Sequence, residues 1–263
     1  MNDSYPIFLK PPQYENIENT LPEIPPEPPV PSKPKLIKKN WLERLILQCD
    51  EVEDMQINQR RMNKYYEKLI KYREAITDYK DKLAYILSQT NIDIYRHKQR
   101  EQVLLHTEPA VISHRDVLKG RYEAVFKEYL IASFNNNIKT GVEMPLPNDN
   151  GFTPDFAYMD RKVGLCIDIE IDEPYTLVDN APIHCVGNDD FRDQFFLSKG
   201  WFVIRFAEIQ VARNPHHCVH YIETAIKHIL SGEPFVNNMV PEIKKWTYNE
   251  SKLMISQCFR DTY

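Results

Sequence analysis

The 263-residue sequence lacks any apolar run long enough to cross a lipid bilayer. Residues 1–10 also lack the basic-then-apolar layout of a secretory signal peptide. The five cysteines are scattered and never occur in a Cys-x-x-Cys spacing, which disfavours a zinc ribbon and a disulfide framework. These absences predict a soluble protein of the reducing cytoplasm.

The sequence also lacks an excess of basic charge. The formal net charge is −5, and residues 108–230 contain 12 Lys and Arg against 18 Asp and Glu. This balance disfavours tight, nonspecific electrostatic binding of nucleic acid. It does not exclude a nuclease that uses a metal ion, because the ion brings its own local positive charge.

Proline and charge patterns divide the chain into four segments. Residues 1–36 are proline-rich and are expected to be disordered, with a polyproline II run that serves as a docking peptide or a semi-rigid spacer. Residues 37–107 read as a long helical, coiled-coil-like arm, because no Pro or Gly interrupts them from Trp41 to Leu105. Residues 108–232 alternate predicted strands and helices, which indicates an α/β sandwich with a mixed sheet. Residues 233–263 form a tail with one short helix.

Apolar residues of the arm recur in steps of three and four, including Tyr65, Tyr72 and Tyr79. The pattern predicts one long helix, or two joined near residues 88–91. It would pack in an antiparallel hairpin or in a coiled-coil dimer, so a second copy or another protein is an expected partner. A basic cluster at residues 96–100 is either a solvated helix face or a phosphate contact.

An acidic strand is the main chemical signal. In residues 163–175, isoleucines alternate with Asp168, Glu170 and Asp172, the period-two pattern of a strand with one apolar and one acidic face. Asp155 follows a proline on the preceding strand. Such a face is either a solvated sheet edge or a site where a divalent cation offsets the repulsion between carboxylates.

Two motifs in this region resemble a known family. Pro154-Asp155 and the acidic strand resemble the core of PD-(D/E)XK nucleases. Downstream, Asp189 to Phe206 resembles the D-x-x-R-D-x-x-L-x-x-x-G-W-x-V-I-R-F pattern of one branch, the very-short-patch-repair-like endonucleases, which include the domain of unknown function 559 group. The resemblance covers residues 122–230. It implies a restriction-endonuclease-like mixed sheet flanked by helices.

The resemblance also implies catalytic and metal-binding roles. Asp155 and Glu170 would bind Mg²⁺ or Mn²⁺, with Asp168 as an alternative to Glu170 because both share a strand face. The lysine of the family motif is replaced here by Asp172, and His184 is the candidate general base or acid in its place. Glu123, on the helix that opens the domain, is a further candidate to face the metal.

Two arginines are candidate substrate ligands. Arg192 would contact phosphate or pair with a carboxylate, and Arg205 is expected to face out of its strand with the same two alternatives. The resulting hypothesis is a metal-dependent endonuclease that hydrolyses phosphodiester bonds in defence or repair, with DNA as the expected substrate. The alternative is a catalytically inactive nuclease fold that serves as a scaffold and assembles through its helical arm. His216 and His220, one helical turn apart, are expected to bind no metal because further ligands are lacking.

Overall fold

The structure, a computed structural model, describes residues 4–47, 51–112, 120–146, 151–237 and 239–263. The chain divides into two compact units. The sheet unit comprises Met1–Thr20 and Arg96–Tyr263, and the arm unit comprises Leu21–Tyr95. None of the helices in the described ranges combines the length and apolar character needed to span a bilayer.

Strands and helices alternate through most of the sheet unit. The strands are β1 (Ser4–Tyr5), β2 (Ile7–Leu9), β3 (Val111–Ile112), β4 (Ile138–Lys139), β5 (Val142–Glu143), β6 (Phe156–Asp160), β7 (Leu165–Asp172), β8 (Phe202–Ala207) and β9 (Ile243–Lys244). The helices of both units are α1 (Pro12–Glu15), α2 (Trp41–Leu47), α3 (Glu51–Ile86), α4 (Gln89–Leu105), α5 (Glu123–Phe134), α6 (Asp190–Ser198), α7 (Glu208–Arg213), α8 (Pro215–Ser231) and α9 (Tyr248–Ser256).

A five-stranded mixed sheet forms the centre of the sheet unit, in the order β2-β8-β7-β6-β4. β7 pairs in parallel with β8, and the other neighbours are antiparallel. The parallel pair requires a crossover, which α6 provides between the two strands. This arrangement confirms the predicted mixed α/β class and the predicted order of two strands, a helix and a third strand.

The sheet is buried on both faces. On one face, α5 and α8 pack Phe126 and Ile222 against Phe156 and Phe206. On the other face, α6 contributes Phe196 to a second apolar cluster with Trp201 and Val203. β7 therefore lies in the middle of the sheet with all eight of its residues buried. The acidic side of this strand is not a solvated edge.

The expectation of disorder across residues 1–36 is wrong for residues 4–20. β2 pairs antiparallel with β8 and forms one edge of the central sheet, and β1 pairs with β9 from the tail. Tyr5, Tyr14 and Ile17 are buried. The prediction failed because proline content dominated it, whereas the apolar residues between the first prolines provide enough surface to complete the sheet.

The arm unit consists of the proline-rich segment, α2, α3 and the beginning of α4. The chain breaks between α3 and α4 at residues 87–88, which agrees with the predicted alternative of two helices joined near residues 88–91 rather than with one long helix. Every third residue from Pro22 to Ile37 is half-buried, the period of polyproline II. Half-buried residues of α3 recur in alternating steps of four and three, a seam comprising Asn58, Met62, Tyr65, Leu69, Tyr72, Ile76, Tyr79, Leu83 and Ile86.

The proline segment runs back along this seam. The side-chain amide of Asn58 bonds both main-chain groups of Ile37, and Arg61 donates to the carbonyl of Lys35. Both segments belong to one compact unit, and these bonds join them at the Asn58 end of the seam. Association of the arm with a second helix or a second copy of the chain stays a prediction.

Candidate active site

Three carboxyl groups project from one side of β7 into the protein. Asp168, Glu170 and Asp172 alternate with isoleucines that face α5 and α8, so their side chains share the face that α6 covers. At most 3 % of each residue is exposed. Burying three carboxyl groups on one strand is unfavourable unless cations or donors compensate them. The compensating groups divide the site into two clusters.

The first cluster joins Asp155 to Glu170. Asp155 precedes β6, and its backbone N–H donates to Glu170 Oε1 at 3.1 Å. In return, the backbone N–H of Ile171 donates to Asp155 Oδ2 at 2.8 Å. Burial, followed by the negative charges of Glu170 and Glu123, holds the pKa of Asp155 well above its usual range. The structure therefore brings together the two predicted metal ligands and Glu123 at the start of α5.

Asp168 adds a further carboxyl group to this cluster. It is fully buried, and among the described residues neither of its oxygens has a hydrogen-bond partner. Burial, and then the charge of Glu170, raises the pKa of Asp168 well above its usual range. A buried carboxyl group without a donor is rare in native proteins and commonly marks a functional site or an ion-binding position.

Arg192 of α6 is the cation nearest to the first cluster. Its Nη2 donates to Glu170 Oε1 and to the carbonyl of Thr153 at 3.0 Å, and it lies 3.7 Å from Asp168 Oδ1. The guanidinium also lies over the rings of Phe152 and Phe196. Of the two predicted roles for Arg192, the structure shows the carboxylate pair.

The second cluster is centred on Arg205 of β8. Two of its nitrogens donate to Asp172 at 2.7 and 2.9 Å, and a third donates to Asp193 at 2.8 Å. Tyr5 donates to the same Asp172 at 2.7 Å. The expectation that Arg205 faces outward is wrong, because it is fully buried beneath α6. Parallel pairing of β7 with β8 sets Arg205 beside the acidic face, where it neutralises Asp172 instead of meeting a substrate.

His184 belongs to the second cluster. It lies in the loop between β7 and α6 with a φ of 50°. Its Nδ1 is 3.1 Å from Asp189 Oδ1 and 3.4 Å from Asp172 Oδ1, and its Nε2 is 3.8 Å from Glu173 Oε2. The contacts among these described residues connect His184 to Asp172 and not to Asp155 or Glu170, so the predicted residues occupy two adjoining clusters.

Electrostatics make His184 a cation at neutral pH. Burial alone would lower its pKa, but the charge of Asp172 and the hydrogen bond and charge of Asp189 outweigh it and raise the pKa to about 9. Burial alone would likewise raise the pKa of Asp172, yet Arg205 and His184 hold it below its usual value. Burial raises the pKa of Glu173 to about 7, although His184 opposes this.

Either cluster could hold a metal by distance alone. Ligand atoms of Asp172, His184 and Asp189 lie within 4.8 Å of one another. However, Arg205 and Tyr5 already fill the oxygens of Asp172, and Lys245 donates to Asp189 at 3.1 Å. The second cluster is thus a compensated ion network. In the first cluster, the carboxylate oxygens outnumber the charge of the one guanidinium near them. This set of oxygen ligands fits a hard divalent cation better than the second cluster does.

Residues from both ends of the chain complete the second cluster, and sequence reasoning missed them. Tyr5 comes from the segment expected to be disordered, and Lys245 comes from the tail. A cavity of about 210 Å³ borders this cluster at Lys245 and Asp193 and does not reach Asp155. No local pattern marks Tyr5 or Lys245, because their role depends on β1 pairing with β9.

The remaining motifs have structural partners. Arg96 donates to the carbonyl of Thr20, and Arg100 is buried against the carbonyl of Ser231, so these two members of the basic cluster at residues 96–100 serve packing. His216 packs edge-on against Tyr129, and His220 lies 3.5 Å from Glu223. Within the described ranges, the two histidines belong to no cluster with metal-binding geometry.

Comparison with known protein families, with curated proteins and with solved structures gave no match. The functional assignment therefore depends on the chemistry of the residues themselves.

Proposed function

We propose that this chain is a metal-dependent nuclease that hydrolyses phosphodiester bonds, with DNA as the expected substrate. The observation that carries the proposal is the reciprocal pairing of Asp155 with Glu170 beside Asp168, whose buried oxygens lack hydrogen-bond partners among the described residues. With these three carboxyl groups ionised, Arg192 alone leaves negative charge in excess. A cation bound by oxygen ligands removes that excess.

The residues present fit Mg²⁺ or Mn²⁺. Magnesium takes few protein ligands and retains several waters, so Asp155 and Glu170 are sufficient to hold it. Glu123 adds negative charge that acts on Asp155, while its Oε1 accepts from the backbone N–H of Gly120 at 2.7 Å. The bound cation would acidify a water and offset the charge that develops on the phosphate. A cation on Glu170 would offset the charge of this carboxylate and so weaken the ion pair between Glu170 and Arg192. The guanidinium of Arg192 would then be available to bind a substrate phosphate.

His184 is proposed as a general acid. Because its pKa is raised to about 9, the ring carries both protons at neutral pH. Nδ1 is held by Asp189 and Asp172, so the proton on Nε2 is the one that His184 can give to a leaving oxygen. Asp172, the residue in place of the family lysine, lies in the ion network, where it orients His184 and stabilises its protonated form.

We also propose that the mixed α/β fold is restriction-endonuclease-like. The β6-β7-α6-β8 order, an acidic residue before β6 and the acidic residues of β7 support this proposal. A scaffold protein that retains this fold without catalysis is the alternative function, and the absence of the family lysine is the feature that keeps it open.

Cleavage of plasmid and single-stranded substrates, both DNA and RNA, tests the proposal. We expect strand scission with Mg²⁺ or Mn²⁺, none with EDTA, and loss of activity in Asp155→Asn and Glu170→Gln. Asp261→Asn, at a side chain that is 71 % exposed, is the matched control and should retain activity. If the folded protein cuts none of these substrates with either metal, the scaffold function replaces the nuclease.

A further inference from the structure

The long helix α3 carries an exposed row of basic residues, which we call the basic stripe: Arg60, Lys64, Lys68 and Lys71. Steps of four, four and three residues place them on one face of the helix. The stripe spans the twelve residues from Arg60 to Lys71, or about 16 Å along the helix axis. All four residues are exposed.

The stripe lies beside the tyrosine seam. Lys64, Lys68 and Lys71 each precede a seam position, Tyr65, Leu69 and Tyr72 respectively, and are therefore rotated from it by about 100°. Exposure of all four side chains leaves this neighbouring face of α3 open to solvent.

The four cations lack ion-pair partners among the residues that the structure describes. Elsewhere in the arm unit, Lys82 pairs with Asp78 at 2.7 Å and Lys39 pairs with Asp54 at 3.2 Å. Glu67 is spaced one turn from both Lys64 and Lys71, yet no salt bridge joins it to either in the described ranges. Residues 60–71 contain a single acidic residue, Glu67, against the four stripe residues and Arg61, so this stretch of the helix carries an excess of positive charge that favours the approach of a polyanion.

We propose that the basic stripe binds the phosphate backbone of double-stranded nucleic acid. This inference rests on the proposed function, which makes nucleic acid the polyanion in question, and it supplies the capture surface that an acidic nuclease domain lacks. A rigid row of charges suits a duplex, whose phosphates are held in a fixed line. Capture of single strands also uses aromatic stacking, and the stripe itself contains no aromatic residue.

The salt dependence of duplex binding gives the size of the expected effect. Four phosphate contacts on a duplex give a slope of about −3.6 in a plot of log affinity against log salt concentration. That slope corresponds to about a 150-fold loss of affinity between about 50 and 200 mM salt. Removing one cation should reduce the slope by about 0.9.

The test measures fluorescence anisotropy of the full-length protein with labelled duplexes of about 20 base pairs, two helical turns. EDTA is present so that no cleavage occurs, and separate DNA and RNA duplexes distinguish the two sources of backbone. The variant replaces all four residues by Gln, a good helix former. The control replaces Lys139, Arg161, Lys162 and Lys227 by Gln, which removes the same charge from exposed positions of the sheet unit. Circular dichroism confirms that helix content is retained.

We expect the stripe variant to lose most of the salt slope and the control to keep it. Each single Gln variant should lose about one quarter of the slope. These single variants test the proposal even if the quadruple variant unfolds. Equal slopes in variant and control would overturn the proposal, as would stripe-dependent binding to phosphatidylserine vesicles without binding to duplexes. Binding is measured without metal and so does not depend on cleavage. If the stripe binds duplexes but the protein never cleaves them, the nuclease function is rejected and the proposal for the stripe stands.

Discussion

Replacing Arg205 by Met should destabilise the protein strongly and in a pH-dependent way. Arg205 is fully buried and donates to Asp172 through two nitrogens and to Asp193 through a third. Methionine retains the apolar stem and removes every donor. Removing one partner of a buried ion pair costs about 3–5 kcal/mol, because the remaining charge is left uncompensated.

The pH dependence follows from Asp172. In the wild type its pKa is lowered, so its contribution to stability is present above the unfolded value of about 3.9 and is lost as pH falls through the folded value. Without Arg205, only Tyr5 and His184 among the described residues still compensate the buried carboxyl group of Asp172, so the folded state shifts toward its protonated form. Protonating it costs about 4 kcal/mol at pH 7 but only about 1.5 kcal/mol at pH 5.

Urea denaturation at about pH 7 and about pH 5 measures this difference. We expect Arg205→Met to lose about 4 kcal/mol of unfolding free energy at the higher pH and less than half of that at the lower pH. Arg213→Met, at an exposed position of α7, should change stability by less than about 1 kcal/mol at either pH. A loss below about 1 kcal/mol, or an equal loss at both pH values, would refute the buried ion network.

Three further predictions concern His184, Arg192 and the arm unit. His184 has a raised pKa, so the stability that it adds, about 3 kcal/mol, should be present below about pH 6.5 and lost as pH rises through about 9. Urea titrations of His184→Gln across this range should lack that pH-dependent loss, and parallel curves for variant and wild type would contradict the assignment. Arg192→Met should tighten Mn²⁺ binding by calorimetry, because the guanidinium competes for Glu170, and unchanged or weaker binding would count against that competition. Replacing residues 21–95 by a short flexible linker should leave the sheet unit folded, since Arg96 donates to the carbonyl of Thr20 at 3.3 Å, and light scattering should then report whether the arm mediates self-association.

Much of the central fold is predictable from local patterns. Alternation marks β7, Pro174 follows the end of that strand, and Gly200, with a φ of 80°, follows the end of α6. These features place β6, β7, α6 and β8 in order. These signals are local because strand periodicity and turn residues act over a few positions. The pairing of Asp155 with Glu170 follows from the antiparallel register, because Asp155 immediately precedes β6 and Glu170 lies on β7 next to the partner of Phe156.

The partners of the acidic face were less predictable. Whether Arg205 faces solvent or the carboxylates depends on α6 covering that side of the sheet, which no pattern within β8 encodes. The approach of His184 to Asp172 depends on the path of an irregular loop with a positive φ. Tyr5 and Lys245 meet the network only because β1 pairs with β9, a contact between residues more than two hundred positions apart in the chain.

The position of a bound cation tests the central claim most directly. Crystals soaked in Mn²⁺ and measured at the manganese absorption edge would locate the ion by its anomalous scattering, independently of any activity. We predict an anomalous peak coordinated by Asp155 and Glu170, and its disappearance in Asp155→Asn. A peak at Asp172, His184 and Asp189 instead, or one that persists unchanged in Asp155→Asn, would contradict the assignment of the first cluster as the catalytic metal site.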